Sequence, residues 1–190
     1  MRPPVIEKQS LRYDRRELLS YLRIKGEPDA ATEALINRAT REIRDAMAIT
    51  LLFGIFRLPD RFSSKTVSAR CTGCDRAAVF MVSIGAECDR VVRRASAISA
   101  AYGAVADAVA GAFAEAAAEA VETALIHRYP SGLRSRISPG YGDFPLVAQA
   151  EIFRALASEK HGIRLLPSML TLPMKTVTAV IGIEKGMNDE

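Results

Sequence analysis

Thirteen of the 25 residues from 100 to 124 are alanine. Alanine has the highest helix propensity, and its small side chain lets a neighbouring backbone approach closely, so this stretch predicts a long helix packed tightly on its partners. Asp107, Glu115 and Glu119 place charge within it, which argues against a membrane span. The longest apolar stretch, near residues 49–56, is too short to cross a bilayer. Residues 1–10 lack the apolar core of a secretory signal, so a cytoplasmic location is the expectation.

At 190 residues, 49% hydrophobic and 25% charged, the chain suits a single domain, 1–190, with a sizeable core. The net charge of +4 comes from 26 basic and 22 acidic residues that are interspersed, which points at most to an anionic partner. Arginines at 38, 41, 44, 93 and 94 would carry a nucleic-acid reading, but no RNA- or DNA-binding motif accompanies them, and nucleic acid is not expected as a partner. Three cysteines cannot all pair within the chain, and a reducing compartment would keep them as thiols.

Residues 1–48 read as a helical N-terminal part. Asp14 followed by Glu17 opens a helix that breaks near Gly26 and Pro28, and a second helix runs over 29–48 with Leu35, Ala39, Ile43 and Met47 on its packed face. The arginines of that second helix, Arg38, Arg41 and Arg44, read as a solvated surface. Residues 49–185 form a sheet-containing body. The run 49–58 reads as a buried strand ended by Pro59 and Asp60, and 65–70 with 77–84 as an antiparallel hairpin through Gly73. From Glu87 the period turns helical as far as about His127. Five proline and glycine residues make 129–144 an irregular loop. A helix over 146–159 follows, then a second hairpin of 163–166 with 176–183 around Pro173, and a frayed tail at 187–190. This order lacks the alternation of a doubly wound sheet, so the fold class expected is α+β with a twisted, mostly antiparallel sheet and flanking helices.

Several chemistries find no support. Cys71-Thr-Gly-Cys74 has the spacing of a redox pair or half a zinc site, but no second pair or nearby histidine completes it, and structural thiols are expected with no metal. Ser131, Ser135 and Ser138 lack an elbow motif and triad partners, and no Gly-rich phosphate loop opens a helix. The informative stretch is 133–146, where a fixed cation, a turn and an aromatic ring fall within six residues. Arg136 could hold a carboxylate through two parallel hydrogen bonds, and Tyr141 offers a ring face and a hydroxyl; a rigid loop with a solvated arginine is the plainer alternative.

Arg136-Ile-Ser-Pro-Gly-Tyr141-Gly-Asp-Phe-Pro-Leu146 resembles the RxxPGY segment of the reactivation domain of cobalamin-dependent methionine synthase, above all its stand-alone bacterial homologues. Residues 166–182 resemble that family's closing hairpin with its P-x-K-S-V-S-G pattern, with Thr176, Thr178 and Ala179 as conservative departures. Residues 19–29 look like the homologues' opening segment and 82–87 like their T-L-G-x-E turn, so the likeness covers nearly the whole chain.

The resemblance implies an S-adenosylmethionine-binding subunit that supports reductive methylation of cob(II)alamin. The cobalamin is carried by a partner corrinoid-binding methyltransferase, with a flavodoxin-type protein as electron donor. It implies that Arg136 pairs with the methionyl carboxylate, that Ser138, Pro139 and Gly140 shape the cradle, and that Tyr141 lies where ligand and corrinoid meet, in the catalytic position. Gly111 stands where methionine synthase places an acidic contact; Glu115, or Asp107 one turn to the other side, would substitute. A non-catalytic corrinoid-protein or metabolite-binding module that no longer uses S-adenosylmethionine is the alternative, motivated by Gly111.

Overall fold

The computed structural model describes residues 4–57, 64–129 and 132–185. The turn expected at Pro59 and Asp60, Pro130 and Ser131 of the loop, and the tail 187–190 lie outside these residues.

Helix α1 (Arg15–Tyr21) starts where the Asp14 side chain accepts from Arg16 N, and helix α2 (Ala30–Ala46) where Asp29 accepts from Thr32 N. Strand β1 (Thr50–Arg57), helix α3 (Lys65–Arg70) and strand β2 (Cys74–Ser83) follow. Helices α4 (Ala86–Ile98) and α5 (Ala100–Arg128) are separated by Ser99, whose hydroxyl caps α5. After the loop come a short 3-10 turn (Leu146–Ala148), helix α6 (Gln149–Ala155), a second 3-10 turn (Ser158–His161), and strands β3 (Arg164–Leu165), β4 (Thr171–Leu172) and β5 (Thr176–Glu184).

The main sheet has the antiparallel order β1-β2-β5. Alternation in the central strand β2 assigns its two faces. Ala78, Phe80 and Val82 join a core with Ile43 of α2, Cys88 of α4 and Phe113 of α5, whereas Ala77, Val79 and Met81 pack with Ile137, Phe144, Ile152 and Ile163 on the other side. The antiparallel sheet with helices on its flanks agrees with the fold class expected from the sequence. Helix α5, about 44 Å long at 1.5 Å per residue, buries fifteen of its residues. Its small side chains permit this: a Cβ on Gly103 would lie 2.7 Å from Ser96 Cα of α4. No helix among the described residues is long and apolar enough to cross a membrane.

Four local expectations are corrected. Residues 65–70 are a helix, not the first strand of a hairpin, because the Ser64 hydroxyl accepts from Val67 N and caps it; β2 pairs instead with β1 and β5. Residues 163–166 and 176–183 do not pair with each other: β3 pairs with β4 in a separate two-stranded sheet, while β5 joins the main one. Strand β1 is an edge strand in which Leu52 alone is buried; among the described residues it pairs only with β2. The helix expected over 146–159 is instead a 3-10 turn running into α6 and then a second 3-10 turn, which Ala157 with its positive φ separates from α6.

Of the arginines of α2, Arg38 and Arg41 are exposed as expected and Arg44 is half-buried. Arg38 stacks 4.4 Å above the Tyr102 ring and pairs with Glu42, and Arg44 lies 5.0 Å above the Phe113 ring while donating to Leu11 O.

Candidate functional site

The segment 132–137 is less irregular than its composition suggests. It runs antiparallel beside β5, with Arg134 N donating to Gly182 O and Ile137 exchanging hydrogen bonds with Val180. Ile137 is buried in the second core, and the adjacent Arg136 reaches α5.

There the Arg136 guanidinium meets two carboxylates, Nη2 at 2.9 Å from Glu115 and Nε at 3.2 Å from Glu122. Its own backbone N–H donates to Glu122 as well, at 3.3 Å. Glu115 and Glu122 lie seven residues apart, two helical turns, and so share a face. Burial opposes the Arg136 charge, but the Glu115 hydrogen bond and the charges of Glu115, Glu122 and Glu119 outweigh it, and its pKa rises. Nη1 makes no hydrogen bond to the described residues and is left for a further acceptor. Around this cation the balance is acidic. Burial, reinforced by Glu17, Glu115 and Asp14, raises the Glu119 carboxyl above its ordinary range although Arg136 pulls it down.

The turn beyond is pinned at both ends. Gly140 and Gly142 have φ of +97° and +58°, which side chains rarely adopt. Gly140 N donates to Phe144 O at 2.7 Å and Tyr141 N to Ser138 O at 3.2 Å, so these two N–H groups close the turn on itself. Asp143 caps α3: its carboxylate accepts from the Ser64 hydroxyl, Lys65 N and Thr66 N, each at 2.8 Å. Hydrogen bonds from Thr66, then Ser64 and Lys65, hold this carboxyl well below the usual range. Tyr141 stands at the tip, 68% exposed.

Between the turn, α3 and α5 lies a cavity of about 440 Å³. Glu115, Arg136, Ser138 and Tyr141 line it together with Thr66 and Arg70. Pro139 is buried beneath the turn and Gly140 is exposed beside it, neither forming the wall. Asp107 is not brought there; it pairs with Lys175 at 2.8 Å. A Cβ on Gly111 would lie 3.8 Å from the same lysine Nζ.

In a comparison with solved structures, the chain matches the crystal structure of the MetH reactivation domain bound to AdoHcy, with a TM-score of 0.63 over 96% of this chain and 73% of that one, at 16% sequence identity. The chain has the reactivation-domain fold. Neither the comparison with protein-family models nor that with curated proteins gives a match.

Four contributors escaped the sequence reading. Glu122 was legible only from its heptad distance to Glu115. Thr66 and Arg70 were hidden by the reading of 65–70 as a strand, and the capping role of Asp143 depends on a contact 77 residues away in sequence.

Cys71 and Cys74 place both sulfurs beside Gly182, where a Cβ would meet them at 3.0 and 2.8 Å. Burial pushes the Cys71 thiol up to about 11, raises that of Cys74, and pushes that of Cys88 up to about 12. In each case the shift favours the neutral thiol, the form that is the poorer nucleophile.

Proposed function

We infer that the chain binds S-adenosylmethionine in the cavity between α5 and the 133–146 loop, and acts as a reactivation subunit for a corrinoid carried by a partner methyltransferase. The observation that carries this reading is the convergence of Glu115, Arg136, Ser138 and Tyr141 on one cavity within a reactivation-domain fold. A volume of about 440 Å³ falls within the range of small-molecule sites.

The residues present fit the ligand's charges. The free Nη1 of Arg136 offers donors to the methionyl carboxylate, and the surrounding Glu115, Glu119 and Glu122 favour the ammonium and the sulfonium. Because Gly140 and Tyr141 use their N–H groups within the turn, the cradle offers the Ser138 hydroxyl and backbone carbonyls instead. S-adenosylmethionine supplies a methyl group activated by its sulfonium. The chain's own part is to orient that group toward the mouth, where exposed Tyr141 would meet an incoming corrinoid, with an electron delivered by a flavodoxin-type donor.

Calorimetric titration of S-adenosylmethionine tests the reading. Binding by the wild type, weakened about tenfold to a hundredfold in Arg136→Ala for the loss of a charged hydrogen bond, is the expected result. The second reading, a non-catalytic module, is favoured by Gly111 facing Lys175 where an acidic contact would hold the ligand. Capture of a corrinoid protein with no response to S-adenosylmethionine would support it.

A further inference from the structure

The chain leaves α6 through Ala157 (φ 49°) and crosses from β3 to β4 through Met169 (φ 64°). Among the described residues only Arg23 joins them as a non-glycine in the left-handed region, and such conformations persist where the surroundings enforce them. Both Ala157 and Met169 line one cavity of about 610 Å³, walled by Phe153, Leu165, Leu166 and Pro167. It shares no lining residue with the cavity at Arg136.

Polar groups in this wall lack partners. Ser158 is fully buried, and its hydroxyl has no hydrogen-bond partner. A buried hydroxyl left unpaired costs stability. Arg154 and Lys160 also line the cavity and are exposed, and their side chains form no ion pair among the described residues; Glu159 is the one acid in the lining. The cavity is thus a mostly apolar cleft, open to solvent, with an excess of positive charge at its exposed rim.

The geometry points to a second small-molecule site here, for an amphipathic monoanion: an apolar body seated on Phe153, Leu165 and Met169, with a carboxylate facing Arg154 and Lys160. This is independent of S-adenosylmethionine binding, and its test uses neither that ligand nor a corrinoid.

The probe is hexanoate, titrated into the full chain carrying ¹³C-methyl methionine, with 1-hexanol and acetate as the body and the head alone. Saturable movement of the Met169 methyl, with Met81 in the sheet core unmoved, is the expected result. Hexanol should bind about tenfold more weakly and acetate without saturation. Arg154→Gln with Lys160→Gln, both at exposed positions, should weaken hexanoate about tenfold and leave hexanol unchanged. An unmoved Met169 methyl overturns the site; equal affinity for hexanoate and hexanol, or indifference to the double charge variant, overturns its anionic character.

Discussion

Replacing Arg136 by methionine keeps its aliphatic stem and removes the one cation held between Glu115 and Glu122. The two contacts are 2.9 and 3.2 Å, and the three side chains retain 22%, 29% and 24% of their exposure. Breaking a fully buried pair costs about 3–5 kcal/mol, and an exposed pair contributes at most about 1. With roughly a quarter of each side chain still in water, about 2 kcal/mol is expected, which for a chain of this size lowers Tm by about 4–8 °C.

The deficit should depend on pH. Glu119 has a raised pKa in the folded state, so its contribution is fully present below its unfolded pKa and lost as pH rises through the folded value. Arg136 limits that loss, and its removal enlarges it. Urea unfolding of wild type and Arg136→Met at about pH 7.5 and about pH 4, on either side of the carboxylate range, should therefore show the larger difference at the higher pH. Adding Glu115→Gln and Glu122→Gln should recover most of the stability, because the stranded charges go with them. A deficit below about 0.5 kcal/mol, the ordinary range of a surface substitution, or one equal at both pH values, would refute the assignment of a half-buried triad.

Two further outcomes follow from single contacts. Gly111→Ala should raise stability by about 0.5–1 kcal/mol in thermal melts, since its Cβ meets only Lys175 Nζ at ordinary contact distance and a mid-helix glycine is lost. Asp143→Ala should lower stability at neutral pH, and the difference from wild type should vanish as pH falls through the depressed folded-state pKa of Asp143; melts stepped through acid pH that show a constant difference would contradict the cap on α3.

What the sequence determined by itself was local and periodic. The alanine density of 100–124 dictated a long buried helix, because propensity and small side-chain volume act residue by residue. The N-cap at Asp14 was legible because a capping carboxylate and its N–H donor lie only two residues apart. The resemblance of 133–146 to a reactivation segment named Arg136, Ser138 and Tyr141, and that of the helix stretch near Gly111 named Glu115; the structure places all four around one cavity.

Tertiary structure alone decided the pairings. Short extended runs carry no label for their partner, so 65–70 looked like a strand until a serine cap and the carboxylate of Asp143 made it a helix, and 176–183 paired with β2 instead of its neighbour in sequence. The same holds for charge. Asp107 and Glu115 share one face of α5, yet Lys175 holds the first away from the cavity and Arg136 draws the second into its wall. Sequence spacing orders side chains along an element; which opposite charge each one meets depends on how the elements are brought together, and that is a property of the folded whole.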